Sequence, residues 1–275
     1  MFAENLNIPL FANVPFSLLF EKIKLFREFG VFPEIYFDSD TFESLKFENA
    51  DEIRSVLYSS KMMATIHAPF WDLSLGSTDA EIRRLSVKRI VTAINIAKSI
   101  GAQNVVFHSG FNSTSAYARG KGEWIKNLVD SVGQIIEYSK SFSVPVSMEN
   151  VYDADPEVFL ALKESFSKGQ LRFCFDTGHF NVFSKVPIEE WIGALSPFIN
   201  EVHVHGNSGR DDEHLSLDCG NFDFEKFFRL LVDAKAAPIV TIENKVDDYL
   251  VRSVKVLRSE KFLGLLNNFR REFAS

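Results

Sequence analysis

Apolar positions along the chain fall into short continuous runs that alternate with longer segments in which they recur every three or four residues. The short runs are typical of β-strands, and the longer segments are typical of amphipathic helices. Residues 79–100 give the strongest helical pattern, with Ile90, Ile94 and Ala97 on one face and Gly101 at the end. The pattern therefore predicts a regular alternation of strand and helix.

Eight strands and eight helical segments follow from this pattern. The predicted strands are residues 7–14, 33–37, 62–67, 104–108, 144–149, 171–176, 201–205 and 238–243. The predicted helices are residues 16–29, 43–60, 79–100, 123–139, 156–167, 187–194, 222–234 and 247–273.

The predicted strands are apolar throughout, as in Val105-Val106-Phe107 and Phe173-Cys174-Phe175. Such runs are typical of parallel strands that helices cover on both faces. Eight strand–helix units predict an α/β fold, a single (β/α)₈ TIM barrel, with one domain over residues 1–275. Two smaller domains would also fit the length. A doubly wound open sheet is the alternative topology, but it leaves the polar residues at nearly every strand end unexplained.

Residues that bind metals collect at these strand ends. All 6 histidines lie at the end of a predicted strand or after it. Acidic residues share these positions, and the combined set is His67, His108, Glu149, Asp176, His179, His203, Asp212, His214 and Glu243. In a barrel, the carboxyl ends of the strands meet at one mouth. Buried carboxylates repel one another unless a cation neutralises them, and imidazole with carboxylate is a ligand set for zinc, manganese or iron.

The sequence therefore predicts a bound divalent metal, with zinc favoured and manganese as the alternative. Each residue alone has a simpler explanation: a histidine can be a hydrogen-bonded core residue, Asp176 can cap the following turn, and a lone glutamate can be a general base. His205 lies two residues from His203 on the same strand face. It is therefore expected either to bind the metal or to support the ligands and the substrate.

Composition narrows the possible partners. The formal net charge is −7 and the pI about 5.5, which argues against non-specific binding to nucleic acid or anionic membranes. The 2 cysteines, Cys174 and Cys219, have no CxxC spacing, so neither a disulfide framework nor a zinc knuckle is expected. There is no secretory signal and no apolar run of the roughly 18 residues that a membrane span needs, so a cytoplasmic protein is expected.

Several short motifs resemble those of a known superfamily. They are Ile66-His67-Ala68-Pro69-Phe70-Trp71, Phe107-His108-Ser109-Gly110, Met148-Glu149-Asn150, Phe175-Asp176-Thr177-Gly178-His179, Val202-His203 and Asp212-Glu213-His214, with Glu243 on the last strand. Together they resemble the xylose isomerase-like TIM-barrel superfamily, and most closely its endonuclease IV (AP endonuclease family 2) branch. The resemblance extends over nearly the whole chain.

The endonuclease IV resemblance implies up to three zinc ions, held by the nine residues of the strand-end set, with Glu149 as the bridging carboxylate. Such a cluster would hydrolyse a phosphodiester by polarising the phosphoryl group and stabilising the leaving oxygen. Abasic DNA is the substrate that this branch implies. However, the loop Asp38-Ser39-Asp40 is acidic, and His205-Gly206-Asn207-Ser208-Gly209 and Val151-Tyr152-Asp153-Ala154-Asp155 depart from the endonuclease pattern.

Sugar isomerases and epimerases of the same superfamily imply a different chemistry. They use one metal, held here by Glu149, Asp176, His203 and Glu243, and the two glutamates move a proton beside a carbonyl. Under either hypothesis Arg210 would contact a substrate hydroxyl or phosphate. Phe70 and Trp71 would stack on a base or line a small-molecule pocket. A non-catalytic metal- or sugar-binding barrel is the third hypothesis.

Overall fold

The computed structural model describes residues 6, 8–38, 42, 47–112 and 120–269, and it confirms the (β/α)₈ barrel. Each strand pairs in parallel with the next along the chain, and the first pairs with the last, so the sheet closes. The strands are β1 Leu10–Pro15, β2 Val31–Tyr36, β3 Thr65–His67, β4 Val105–His108, β5 Val146–Glu149, β6 Arg172–Asp176, β7 Ile199–Val204 and β8 Ile239–Ile242.

Helices connect the strands around the outside of the barrel. They are α1 Leu19–Phe29, α2 Phe47–Ser60, α3 Ala80–Ile100, α4 Lys121–Phe142, α5 Glu157–Ser165, α6 Thr177–Phe183, α7 Ile188–Leu195, α8 Phe224–Asp233, α9 Asp247–Leu257 and α10 Glu260–Leu266. Among the described residues, no helix combines the length and the apolar character that a membrane crossing would require.

Helix α3 has a capping residue at its start, which was not predicted, and the predicted glycine at its end. The side chain of Asp79 accepts hydrogen bonds from the backbone N–H groups of Glu81 and Ile82, which satisfies two donors at the helix start. Gly101 closes the helix in the left-handed conformation, with φ of 72°. A side-chain cap at Asp79 and a left-handed glycine at Gly101 therefore set the two ends of this helix.

One helical prediction was wrong, and one helix was missed. The predicted helix 247–273 is divided into α9 and α10, because the backbone is extended at Ser259. At the end of α9, the Arg258 side chain donates to the carbonyl oxygens of Phe29 and Gly30. The short helix α6 was not predicted. The predictions for residues 7, 39–40, 43–46 and 270–273 lie outside the described residues.

Much of the phenylalanine lies between the barrel and its outer helices. On the outer side of β6, the ring of Phe173 lies 5.0 Å from that of Phe159 on α5. Phe159 also packs against Trp191 of α7, with ring centroids 5.6 Å apart. Phe175 stacks on Phe227 of α8 at 5.5 Å. These aromatic contacts hold three helices against one strand, and so fix the position of that strand's carboxyl end.

Replacing Phe159 with alanine should reduce the free energy of unfolding by about 3–5 kcal/mol, because the ring is fully buried and leaves a cavity. The matched control is Tyr58→Ala, since the Tyr58 side chain is 86% exposed and its loss should change stability by no more than about 0.5 kcal/mol. Urea unfolding midpoints measure both effects. Equal midpoints for the two variants would contradict this packing.

Candidate metal centre

The barrel brings the sequence-predicted ligands to one mouth. β3, β4, β5 and β6 end on His67, His108, Glu149 and Asp176, respectively. His203 lies on β7 and His179 on α6. Asp212 and His214 lie on the loop after β7, and Glu243 lies just after β8. All nine residues of the predicted set therefore lie at the carboxyl end of the barrel.

Glu149 is the centre of this arrangement. Its carboxylate is almost fully buried and is surrounded by imidazole nitrogens. The Nε2 atoms of His67 and His108 lie 3.1 and 3.2 Å from its Oε2. His203 Nδ1 lies 3.4 Å from the same oxygen, and His179 Nδ1 lies 3.1 Å from Oε1. One carboxylate thus contacts four histidines, each from a different part of the barrel.

A second group forms around Asp212. Its Oδ2 lies 2.8 Å from His214 Nε2 and 3.6 Å from His179 Nε2. Its Oδ1 lies 3.4 Å from Nε2 of His205. His205, which the sequence left open between metal and substrate contacts, therefore points at the same carboxylate as His214.

A third group surrounds His203. Its Nδ1 lies 3.1 Å from Glu243 Oε1 and 3.9 Å from Asp176 Oδ2. Its Nε2 lies 3.2 Å from Oε2 of Glu34, a residue of β2. The two nitrogens of this imidazole thus face different layers: Nδ1 faces the mouth of the barrel, and Nε2 faces its interior.

Backbone carbonyls fix the orientation of three histidines. The Nδ1 atoms of His67, His179 and His214 each lie 2.9 Å from a carbonyl oxygen. A carbonyl oxygen can only accept, so Nδ1 carries the proton and Nε2 presents its lone pair. Each Nε2 then faces a carboxylate oxygen of Glu149 or Asp212. Two lone pairs face each other unless a proton or a metal ion lies between them.

Without a metal, protons take that position. Burial disfavours charge on His67, but the hydrogen bond and the negative charge of Glu149 outweigh it and raise the pKa of His67 to about 9. Burial likewise disfavours ionised Glu149, yet the surrounding imidazoles hold its pKa well below the usual range. His67 is therefore a protonated imidazole beside the ionised carboxylate of Glu149, and metal binding between them would release that proton.

Several buried atoms of the site have no hydrogen-bond partner within the described part of the chain. They include Asp176 Oδ2, His203 Nδ1, Asp212 Oδ1 and both ring nitrogens of His205. Buried polar atoms are rarely left unpaired unless they serve a ligand. The described residues also form compact groups that could hold a metal, namely His67/Glu149/His203, His205/Asp212/His214, Glu149/Asp176/His179, Asp176/His205/Glu243 and Glu34/Glu201/His203. The donor set thus fits divalent metal ions.

Sequence reasoning missed two glutamates inside the barrel. Glu34 and Glu201 are fully buried, on β2 and β7. Glu201 accepts hydrogen bonds from Asn104 and Thr241, and burial together with the charge of Glu34 raises its pKa to about 8. A charged residue within an apolar strand is the sequence signal that could have identified them. The prediction considered only residues at the strand ends.

The predicted substrate residues separate into two groups. Phe70 lies beside the ligands, stacked on the His108 ring at 4.4 Å and edge-on to His67 at 5.4 Å. Trp71 is 62% exposed and packs on Phe70, so it lies at the rim. Arg210 is exposed on the loop after β7, beside Glu213, whose pKa its charge helps to lower.

The family model described as "Xylose isomerase-like TIM barrel" matches residues 30–260. The chain therefore belongs to the xylose isomerase-like TIM-barrel family. This confirms the family that the strand-end motifs indicated.

Relatives by sequence include proteins with and without a named activity. The uncharacterised protein MJ1311 of Methanocaldococcus jannaschii is 29% identical over 210 residues, which cover 74% of this chain and 70% of that protein. A probable endonuclease 4 of Aquifex aeolicus is 27% identical over 191 residues, covering 61% of this chain and 65% of that protein.

Solved structures share the fold. The TTHB071 protein from Thermus thermophilus, soaked with ZnCl2, is 25% identical, with a TM-score of 0.76 over 96% of this chain and 100% of that one. A D-tagatose 3-epimerase-like protein is 23% identical, with a TM-score of 0.79 over 94% of this chain and 98% of that one. Among the proteins similar to this chain, the names endonuclease 4 and D-tagatose 3-epimerase-like thus denote two different chemistries.

Asp153 is a buried carboxylate beside the site, on the loop after β5. Its Oδ2 accepts a hydrogen bond from the backbone N–H of Val151, while Oδ1 has no partner among the described residues. Burial raises the pKa of Asp153 from 3.8 to about 7. The folded chain therefore holds a proton on Asp153 that the unfolded chain loses near pH 4.

Replacing Asp153 with asparagine should make the metal-free protein more stable at pH 8, by at most about 4 kcal/mol, and should leave it unchanged near pH 3. Because the pKa of Asp153 is higher in the folded chain than in the unfolded chain, the free energy of unfolding of the wild-type protein falls as the pH rises from 4 to 7. The neutral amide of the variant has no such pH dependence. Thermal melting in chelator at several pH values measures the difference. A gap between the proteins that does not change with pH would contradict this.

Proposed function

We propose that the protein is a metal-dependent phosphoester hydrolase that holds two or three divalent ions, with zinc favoured and manganese as the alternative. One observation carries the proposal: the Nε2 atoms of His67 and His108 both face Oε2 of Glu149, at 3.1 and 3.2 Å. A single-metal isomerase would not need these two imidazoles as ligands. Glu149 would then bind both the ion held by His67 and His108 and the ion held by the group around His203.

The residues fit up to three neighbouring positions for ions. His67, His108 and Glu149 would hold one, and Glu149, Asp176, His203 and Glu243 a second. Asp212 and His214, with His179 as the resemblance implies, would hold the third. Ions held in this way would polarise a phosphoryl group and neutralise the charge that develops on its oxygens.

The chain itself would supply position and shape. Glu149 aligns imidazoles from separate elements through its two oxygens. Phe70 forms an apolar wall against His108, which would exclude water beside the reacting phosphate. Arg210, on the exposed loop after β7, would bind a phosphate oxygen through its planar guanidinium.

Similarity to proteins named probable endonuclease 4 supports a phosphoester as substrate. The ZnCl2-soaked TTHB071 structure is consistent with zinc in a related barrel. Abasic DNA is the first substrate to test, although a net charge of −7 favours a smaller phosphoester.

An isomerase or epimerase of a small sugar is the second candidate, for a specific reason. Glu149 and Glu243 lie 3.4 and 3.1 Å from the same nitrogen of His203, so two carboxylates face one position. A pair of this kind could remove and return a proton beside a carbonyl. Structural neighbours named as epimerases are consistent with this alternative.

Substitution of His108 by glutamine separates the two candidates. In a multinuclear hydrolase, it should lower kcat/KM for phosphoester cleavage about 100-fold or more and reduce the zinc content by one equivalent, because a ligand is lost. In a single-metal epimerase, the same change should leave zinc content unaltered and raise KM for a ketose by about tenfold. Steady-state kinetics and elemental analysis measure both.

The matched control is Tyr58→Phe, on the outer surface of α2, which should keep wild-type zinc content and kinetics. Wild-type protein purified without chelator should contain two or three equivalents of zinc or manganese. One equivalent after saturation, with turnover of a ketose and none of phosphoesters, would replace the hydrolase by the epimerase.

A further inference from the structure

His205 is a histidine whose hydrogen-bonding needs are not met by the described protein. It lies just beyond the end of β7, and its side chain is fully buried. Neither Nδ1 nor Nε2 has a hydrogen-bond partner among the described residues. A histidine that served only for packing would be expected to pair at least one nitrogen. The ring therefore faces a position that another group must fill.

The surroundings of that position are carboxylate and imidazole. The Nε2 atom of His205 lies 3.4 Å from Asp212 Oδ1 and 3.5 Å from Asp176 Oδ1. Its ring stacks on that of His214 at 4.0 Å with an interplanar angle of 12°, so the two imidazoles lie face to face. His214 Nε2 in turn lies 2.8 Å from Asp212 Oδ2. One ligand atom from each of His205, Asp212 and His214 fits within 4.8 Å of the others.

His179 contacts the same carboxylate through its other oxygen. Its Nε2 lies 3.6 Å from Asp212 Oδ2, the longest of the three imidazole distances to this carboxylate. Its Nδ1 donates to the backbone carbonyl of Asn150, so Nε2 is the nitrogen that could bind a metal. His179 and His205 therefore face different oxygens of Asp212.

Gly178 makes room for the His205 ring. A β-carbon at position 178 would overlap the Cε1, Nε2 and Nδ1 atoms of His205. Gly178 lies in helix α6, where alanine is intrinsically preferred over glycine. The glycine is thus explained by the space that the ring needs, and not by the helix itself.

We propose that His205 is a metal ligand, and that it binds a divalent cation of the zinc type together with Asp212 and His214. This assignment rests on the proposed multinuclear site and adds a tenth ligand to it. Two imidazoles and one carboxylate favour zinc over magnesium or calcium, which prefer oxygen ligands. With His179, which the resemblance places at the same ion, the site would offer four protein ligands.

The test is zinc binding by the full chain with His205 changed to asparagine, which keeps a polar side chain but is too short to reach Asp212. Zinc equivalents per chain come from elemental analysis after saturation and desalting. Affinities come from competition with a chromophoric chelator. The variant should lose one equivalent, or bind its weakest ion about 100-fold less tightly, while the other ions keep wild-type affinity.

A second variant displaces His205 without altering any ligand. Gly178→Ala should push the ring away from Asp212 and reproduce the loss of one zinc equivalent. Gly193→Ala is its matched control, because Gly193 also lies in a helix and a β-carbon there would meet no atom within 4 Å. Melting in chelator should show each variant folded at the assay temperature, with Gly178→Ala melting lower than Gly193→Ala because its β-carbon overpacks a buried ring. Zinc content measured at that temperature then separates metal loss from misfolding.

The outcomes distinguish the two proposals. If wild type holds two or three ions and both His205→Asn and Gly178→Ala hold the same number with unchanged affinity, His205 is not a ligand and the multinuclear site stands. If saturated wild type holds a single ion, both the multinuclear site and this assignment fail.

Discussion

The structure of the site depends on one buried carboxylate, that of Glu149. A lone ionised carboxylate in a barrel interior is strongly unfavourable, because burial removes its hydration. Here four imidazoles surround it, at 3.1 to 3.4 Å, from β3, β4, α6 and β7. Only a closed barrel brings these segments to one point, since they are far apart in sequence. The closed barrel thus allows this charge to be buried, and the surrounding imidazoles keep the carboxylate ionised.

Asp176 couples local chain geometry to the same centre. As the last residue of β6 it begins α6, and its Oδ1 accepts a hydrogen bond of 2.6 Å from the backbone N–H of His179. This cap fixes the carboxylate and sets the first turn, from which His179 reaches Glu149. Burial acts against ionisation of Asp176, but the nearby imidazoles of His179 and His205 lower its pKa. The other oxygen faces His203 at 3.9 Å, so one side chain both starts a helix and belongs to the candidate metal centre.

Sequence pattern was sufficient for the parts of the molecule that local chemistry determines. The eight strands, the end of α3 at Gly101 and the strand-end set followed from periodicity, turn chemistry and the geometry of parallel barrels. Helix α6 was missed because its seven residues are too few to show a helical period. The break at Ser259 was missed because apolar residues recur on both sides of it, at Leu257 in α9 and at Phe262 in α10. Glu34 was missed because its partner His203 becomes its neighbour only when the barrel closes.

The interior contact of His203 bears on both candidate chemistries. Burial acts against ionisation of Glu34, yet the adjacent imidazole outweighs this and lowers its pKa. An ionised Glu34 accepts a hydrogen bond from His203 Nε2, which leaves Nδ1 facing Glu149 and Glu243. A metal ion bound there would displace the proton from Nδ1. Both candidate chemistries would use that nitrogen as a ligand, so the inner layer of the barrel would support metal binding without selecting the reaction. The choice between the two reactions would then lie with His67, His108 and His205, because these residues would determine how many ions share Glu149 and its neighbours.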